Sequence, residues 1–222
     1  MSPAISLVIT NYNRAPFLDR AIRSCIGQVL FRVPYEIIVI DDASTDDSND
    51  VIAEFGTDVV HLRNEVNQGV AATSNLGLEA ATGEYWMRVD ADDFLGQFSC
   101  TYMKDILDHN PGVDFVFCDH FRVDMRGVMQ EHVRLDNDEA LFNHGAGVMF
   151  RTESVRDAGG YDESLRNCED YDLLVRMKAL GSIGFHLPIP LYRYYIHGDN
   201  LTLSQERQSA RELVRKRHGL SD

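Results

Sequence analysis

An α/β architecture is expected for this chain on three grounds. From residue 5 to about 120, short apolar runs alternate with amphipathic stretches, the order of parallel strands joined by covering helices. The composition, 44% hydrophobic and 25% charged with 16 Gly and 6 Pro in 222 residues, is that of an ordinary globular protein, without collagen-like, coiled-coil or long disordered segments. Polar and acidic residues follow directly on the apolar runs, and the crevice beyond the carboxyl ends of strands is where open α/β sheets bind ligands.

Taken in order, residues 5–10 (Ile-Ser-Leu-Val-Ile-Thr) read as a buried strand. Residues 17–29 read as a helix with Leu18, Ala21, Ile22, Cys25 and Ile26 on one stripe, and 36–41 as a second strand. Ser44, Thr45 and Asp46 offer an N-cap for a helix over 51–55. A third strand over 58–62, a small-residue helix over 70–81 and a fourth strand over 84–89 complete the alternation. Beyond residue 113 the pattern weakens. Strands are expected at 115–117, 121–124 and 147–150 and a helix at 170–180, forming a smaller, mixed appended region, and the charged stretch 206–218 reads as a solvated terminal helix. There is no repeat, low-complexity tract or clear linker, and at about 150 residues per domain one domain with additions is the simplest reading.

Charge and length exclude several classes. Lys plus Arg number 21 against 35 Asp plus Glu, a formal charge of −14 that repels phosphate backbones, so no nucleic-acid partner is expected. The longest apolar runs, such as 5–9 and 36–40, fall well short of the about 20 residues of a membrane span. The start Met-Ser-Pro-Ala lacks a basic leader, so no secretory signal is expected. Cys25, Cys100, Cys118 and Cys168 form no Cys-x-x-Cys pair and read as reduced, mostly buried thiols of a cytoplasmic protein.

Several acidic segments can carry chemistry, and each has a plain structural alternative. Asp90-Ala-Asp92-Asp93 follows a strand apolar but for Arg88. It suits either a divalent cation carrying phosphate oxygens or an acidic turn whose Asp92 or Asp93 caps a helix. Asp42, in Asp41-Asp-Ala-Ser-Thr-Asp46, can hydrogen-bond a base or ribose edge and Tyr12 can stack on a base; the same stretch also reads as a turn plus cap. Glu169-Asp170 opens a helix, where a carboxylate either serves as general base toward a hydroxyl or complements the helix dipole. His197, in Ile196-His-Gly-Asp-Asn200, is a ligand candidate or simply a satisfied histidine.

Together, Ser6-Leu-Val-Ile-Thr-Asn-Tyr-Asn13, Ile38-Val-Ile-Asp-Asp-Ala-Ser-Thr-Asp46, Asn67-Gln-Gly69, Asn75-Leu-Gly77, Ala81-Thr-Gly-Glu-Tyr85, Val89-Asp-Ala-Asp-Asp93, Gly159-Gly-Tyr-Asp162, Glu169-Asp-Tyr-Asp172 and Tyr192-Arg-Tyr-Tyr-Ile-His-Gly-Asp-Asn200 resemble the family 2 glycosyltransferases of GT-A fold over roughly residues 4–203. The resemblance implies a Rossmann-like, mostly parallel sheet flanked by helices. It implies one GT-A domain over 1–222: a nucleotide-sugar half to about 112, an acceptor-side half over 113–203 and a helical tail over 204–222. It implies inverting, non-processive transfer from a nucleotide diphosphate donor, usually a UDP-sugar, to a hydroxyl on a saccharide or glycolipid acceptor during surface polysaccharide or glycolipid synthesis. Thr10, Tyr12 and Asp42 match the nucleobase positions. Asp90 and Asp92 match the motif that holds ribose and a divalent cation (Mn²⁺ or Mg²⁺) on the diphosphate, with Asp93 sharing the metal role. Asp170 matches the catalytic base, Glu169 its neighbour near the acceptor, and His197 a position that helps hold metal or diphosphate. Gly145-Ala-Gly147 resembles the border of the acceptor side. Action in the cytoplasm at the inner membrane surface, peripheral to the bilayer, belongs to the same expectation.

Two departures accompany the match. Thr73-Ser-Asn-Leu-Gly77 stands where relatives often carry Ala-Arg-Asn-x-Gly, which leaves Arg63 or Arg88 to supply a basic contact, and the Gln-x-x-Arg-Trp motif of processive synthases is absent. Other classes fit less well. A nucleotidyltransferase needs a Gly-rich basic loop where Asn11-Tyr-Asn-Arg-Ala15 stands, and a dinucleotide oxidoreductase needs Gly-x-Gly-x-x-Gly. A non-catalytic nucleotide-sugar-binding or assembly module of the same fold is the remaining alternative.

Overall fold

The computed structural model describes residues 3–135, 141, 145, 147–198, 200 and 206–220. Four parallel strands, β1 (Ile5–Asn11), β2 (Tyr35–Asp41), β3 (Val60–Arg63) and β4 (Tyr85–Asp90), lie in the order β3-β2-β1-β4. Their apolar runs are continuous because both faces are covered. Ile5, Leu7, Ile9, Ile37 and Val39 face one helix layer, while Val8, Ile38, Ile40 and Trp86 face the other. The first layer holds α1 (Ala15–Ile26), α2 (Ser48–Ala53) and α4 (Ser99–His109); the second holds α3 (Val70–Ala80), α5 (Thr152–Asp157) and α6 (Glu169–Ala179). The small residues of α3 have a packing reason. A Cβ on Gly77 would meet Val8 Cγ1 at 2.4 Å, so only glycine lets the helix lie this close to β1.

The same sheet continues through the second half. β8 (Val148–Arg151) runs antiparallel between β4 and β6 (Phe115–Val123), β9 (Gly184–Tyr195) pairs parallel with β6, and β5 (Phe94–Leu95) closes on β9. A hairpin adds β7 (Met129–Val133) to β6. Three expectations are corrected here. The two strands at 115–117 and 121–124 are one strand, β5 and α4 follow β4 where no element was expected, and β9 went unread. Its Pro188 and Pro190 argue against a strand; the chain accommodates them where pairing jumps from Cys118–Leu187 to Asp119–Pro190.

The terminal helix α7 (Glu206–Arg217) is docked, not merely solvated. Val214 is fully buried against Leu165, Tyr171 and Val175, and His218 Nε2 lies 2.8 Å from Asp172 Oδ1. A single buried apolar position in a charged helix leaves little periodic signal. Cys25, Cys100 and Cys118 are buried free thiols and Cys168 is half-buried. Among the described residues no helix is long and apolar enough to cross a membrane.

Candidate functional site

The carboxyl ends of β1, β2 and β4 and the N-terminus of α6 enclose a cleft of about 390 Å³. Thr10, Tyr12, Asp42, Asp90, Asp92, Glu169 and Asp170 all line it. These residues come from separate segments, and the parallel topology alone puts their strand ends on one edge.

The β1 and β2 ends are stitched together before they meet any ligand. Asp41 faces inward, its carboxylate accepting from Asn11 Nδ2 at 2.9 Å and the Ser44 N–H at 3.1 Å. Ser44 Oγ in turn accepts the Asn13 N–H at 2.8 Å. Asp46 caps two helices at once: Oδ2 accepts the Ala15 N–H of α1 at 3.0 Å and Oδ1 the Ser48 N–H of α2 at 3.1 Å. The N-cap residue of α2 is Asp47, one past the expected Ser44–Asp46, and Asp46 serves the helix from the position before it; α2 starts three residues before the anticipated 51. Asp42 holds the next loop, accepting from Asn64 Nδ2 and the N–H groups of Gln68 and Gly69, each at 2.8 Å. A carboxylate offers about four lone-pair sites, so one remains toward the cleft. Gly69, at φ 91°, adopts a left-handed backbone that favours glycine, and Arg166 Nη1 lies 2.6 Å from where a Cβ would stand.

At the β4 end Asp90 and Asp92 line the cleft, whereas Asp93 and His197 are not among its lining residues. Asp92 Oδ2 accepts from Arg14 Nε at 3.1 Å and pairs with His197 Nε2 at 2.8 Å. The His197 ring lies near Phe17 and Tyr195, at centroid distances of 5.9 and 5.1 Å, and its backbone N–H donates to Asn200 Oδ1. Asp199 of that turn lies outside the described residues, as does Ala146 of the Gly145–Gly147 stretch. Asp93 is a correction: it does not line the cleft. Its side chain is fully buried, with Oδ1 accepting the Tyr195 N–H at 2.8 Å. Burial first, then the charges of Asp92 and Asp90, push its carboxyl well above the usual range. Among the described residues no three His, Cys, Asp or Glu side chains form a ready metal cage.

Arg88 stands at the centre of the site, 5% exposed. Its Nη2 donates to Asp170 Oδ2 at 2.7 Å, Nη1 to Glu169 Oε1 at 3.0 Å, and Nε lies 3.2 Å from Asp90 Oδ1. Burial raises the Asp170 carboxyl to about 7, with Glu169 and Asp90 adding to the rise and Arg88 opposing it. Asp90 is raised by burial as well, against the pull of Arg88. Gly145 lies directly on Asp170, where a Cβ would come within 2.1 Å of Asp170 Cβ. Cys168, left-handed at φ 63°, turns the chain into α6 and sets both acids in its first turn.

The basic contacts differ from those expected. Arg63 is outside the cleft lining and pairs with Asp41 at 3.5 Å, while Arg88 is engaged by acids. Arg14, Arg166 and Arg207 line the cleft instead. Sequence reading missed all three. Arg14 stands next to the flagged Tyr12, but Arg166 and Arg207 are brought in by a loop and by the docked α7.

This is an acidic cleft at the carboxyl edge of an α/β sheet, and comparison with known proteins names its class. The profile of Glycosyl transferase family 2 matches residues 6–159. The chain belongs to that family. An uncharacterised glycosyltransferase of Haemophilus influenzae is 26% identical over 78% of this chain, which spans 61% of that relative. The chondroitin synthase of Escherichia coli is 24% identical over 91% of the chain and 30% of its own length. TarS 1–349 of S. aureus, solved in complex with UDP-GlcNAc, superposes with TM-score 0.78 at 20% identity, over 95% of this chain and 65% of TarS 1–349. The mannosyltransferase PcManGT of Pyrobaculum calidifontis, solved with GDP-Man and Mn²⁺, gives 0.70 at 18%, covering 98% of this chain and 62% of PcManGT. Both structures share the GT-A fold.

Proposed function

We propose that this protein is an inverting, non-processive glycosyltransferase that moves a sugar from a nucleotide diphosphate donor, a UDP-sugar, to a hydroxyl of a saccharide or glycolipid acceptor, in surface polysaccharide or glycolipid assembly at the cytoplasmic face of a membrane. One observation carries the reading: Asp90 and Asp170, from motifs far apart in the chain, meet across a single guanidinium in one cleft, at 3.2 and 2.7 Å. In this reading Thr10, Tyr12 and Asp42 hold the base and Asp90 the ribose. Arg14, Arg166 and Arg207 face the diphosphate.

The donor set suits a divalent cation only jointly with the nucleotide. Asp90 and Asp92 offer hard carboxylate oxygens and His197 an imidazole, a combination that suits Mn²⁺ or Mg²⁺ when phosphate oxygens complete the shell. Such a cation supplies positive charge against the leaving nucleoside diphosphate. Asp170 takes the acceptor proton through Oδ1, since only Oδ2 is bound by Arg88 among the described residues. A base with its pKa near 7 is ionised at working pH and still strong enough to accept a proton. With one base and no protein nucleophile, displacement is single and the anomeric centre inverts.

The test is a panel of nucleotide sugars with and without Mn²⁺, read for binding by thermal shift and for transfer or hydrolysis. Asp92→Ala is expected to abolish Mn²⁺-dependent donor binding. Asp170→Asn is expected to keep binding and lose transfer by about 10³-fold, the scale of general-base catalysis. Equal loss of binding in both variants refutes the allocation; binding without turnover of any donor in wild type would mark a non-catalytic module.

A further inference from the structure

Resting on that reading, we propose that Arg88 is a positioning residue for the transfer step, a group that aims the base Asp170 and links it to the donor-side carboxylate Asp90. The guanidinium is held on every side. Ser74 Oγ accepts from Nη1 at 3.3 Å, and the Tyr161 ring lies under the plane with its centroid 5.5 Å from Cζ. Its planar fork reaches three acids from two segments: Asp90 on its own strand, and Glu169 and Asp170 on α6. Lysine offers a point charge but no such fork.

A purely structural role does not account for this arrangement. Three buried or half-buried carboxylates around one cation leave the cluster under-neutralised, and buried ion pairs of that sort are poor stabilisers compared with apolar packing. The arrangement does account for aim. Asp170 Oδ2 is tied at 2.7 Å, which turns the other oxygen toward the cleft. Arg88 Nε, though 3.2 Å from Asp90, is aligned with no acceptor among the described residues, so the Asp90 side of the fork retains freedom to adjust to the donor while the Asp170 side stays fixed. Arg88 and Asp90 from β4, Glu169 from α6 and Tyr161 from the loop after α5 are the titratable and charged groups that act on Asp170.

Arg88→Lys keeps the charge and removes the fork. The expected result is a donor KM within about threefold of wild type, a kcat lower by about 100-fold, the scale of an about 1 Å misplacement of a reacting group, and an acid limb of kcat moved to higher pH. A kcat within threefold of wild type at unchanged pH profile overturns the proposal, whatever happens to the melting temperature. Should Arg88→Lys not fold, Arg88→Met combined with Glu169→Gln keeps the cluster's net charge; transfer at the level of Glu169→Gln alone overturns the proposal equally. Wild type that turns over no donor sinks the glycosyltransferase reading instead. Carboxyl ¹³C titration of Asp170 without donor then decides the role of Arg88: a midpoint higher in Arg88→Lys than in wild type supports it, and identical midpoints overturn it.

Discussion

Gly145→Ala tests whether the base is aimed by fit. The added methyl would lie 2.1 Å from Asp170 Cβ and 2.5 Å from its Oδ2, where ordinary contact begins at 3.4 Å, so one partner must retreat by about 1.3 Å. Gly145 is not in the left-handed region, so alanine adds no backbone strain and the effect is confined to this contact. Arg88 holds Asp170 from below by a 2.7 Å ion pair, leaving lateral displacement of the carboxylate as the available relief. A misplacement of about 1 Å at a reacting group lowers the rate on the order of 10²-fold. The assay is steady-state transfer with donor and acceptor varied separately. A kcat reduced about 100-fold with donor KM little changed is expected. A kcat within threefold of wild type would show that the Gly145 segment yields freely, and that close packing does not set the aim of the base.

Four further outcomes follow from Asp170 and Asp46. Because Asp170 must be ionised to accept a proton and its pKa is raised to about 7, kcat/KM is expected to fall below about pH 7 on a single-proton limb absent from the residual activity of Asp170→Asn. The same shift is a stability statement. A carboxyl raised in the fold destabilises the folded state as pH climbs from its unfolded value near 3.8 toward 7, so Asp170→Asn should melt higher than wild type at pH 8, and the gap should narrow as pH falls below 7 and close only below the unfolded value. Asp46→Ala removes caps from α1 and α2 together, at about 1 kcal/mol each, and should lower the melting temperature by about 4–8 °C. The Asp46 carboxyl is lowered by its hydrogen bonds to Ser48 and Ala15, against the opposing effect of burial. Its contribution is thus present above the unfolded value near 3.8 and lost as pH falls through the folded one; calorimetry at pH 7 and pH 3 should show the difference from Asp46→Ala shrinking in acid.

The N-terminal half was legible because its signals are local. Ile5 to Asn11 and Tyr35 to Asp41 are apolar runs ended by polar residues, and such runs are strands wherever a parallel sheet is covered on both faces. The second half resisted for the opposite reason. β9 contains two prolines that a local rule rejects, and only its long parallel partner β6 makes it a strand. α7 has one buried apolar residue, too few for a periodicity argument, and its place is set by α6.

Composition, the alternation of apolar runs and the acidic motifs at their ends determined the α/β class, the edge of the sheet where chemistry gathers, and the candidacy of Asp42, Asp90, Asp92 and Asp170, because these follow from residue type and short-range spacing. Tertiary structure alone decided which carboxylates share a solvent space. Asp92 and Asp93 are neighbours in sequence, yet one lies on the cleft and the other is sealed beneath Tyr195, since successive residues leaving a strand point in different directions. The titration of Asp170 likewise came from packing: burial, the guanidinium of Arg88 and the carboxylates of Glu169 and Asp90 act on it through space, and the distances to Arg88 and Asp90 are encoded by no run of neighbouring residues.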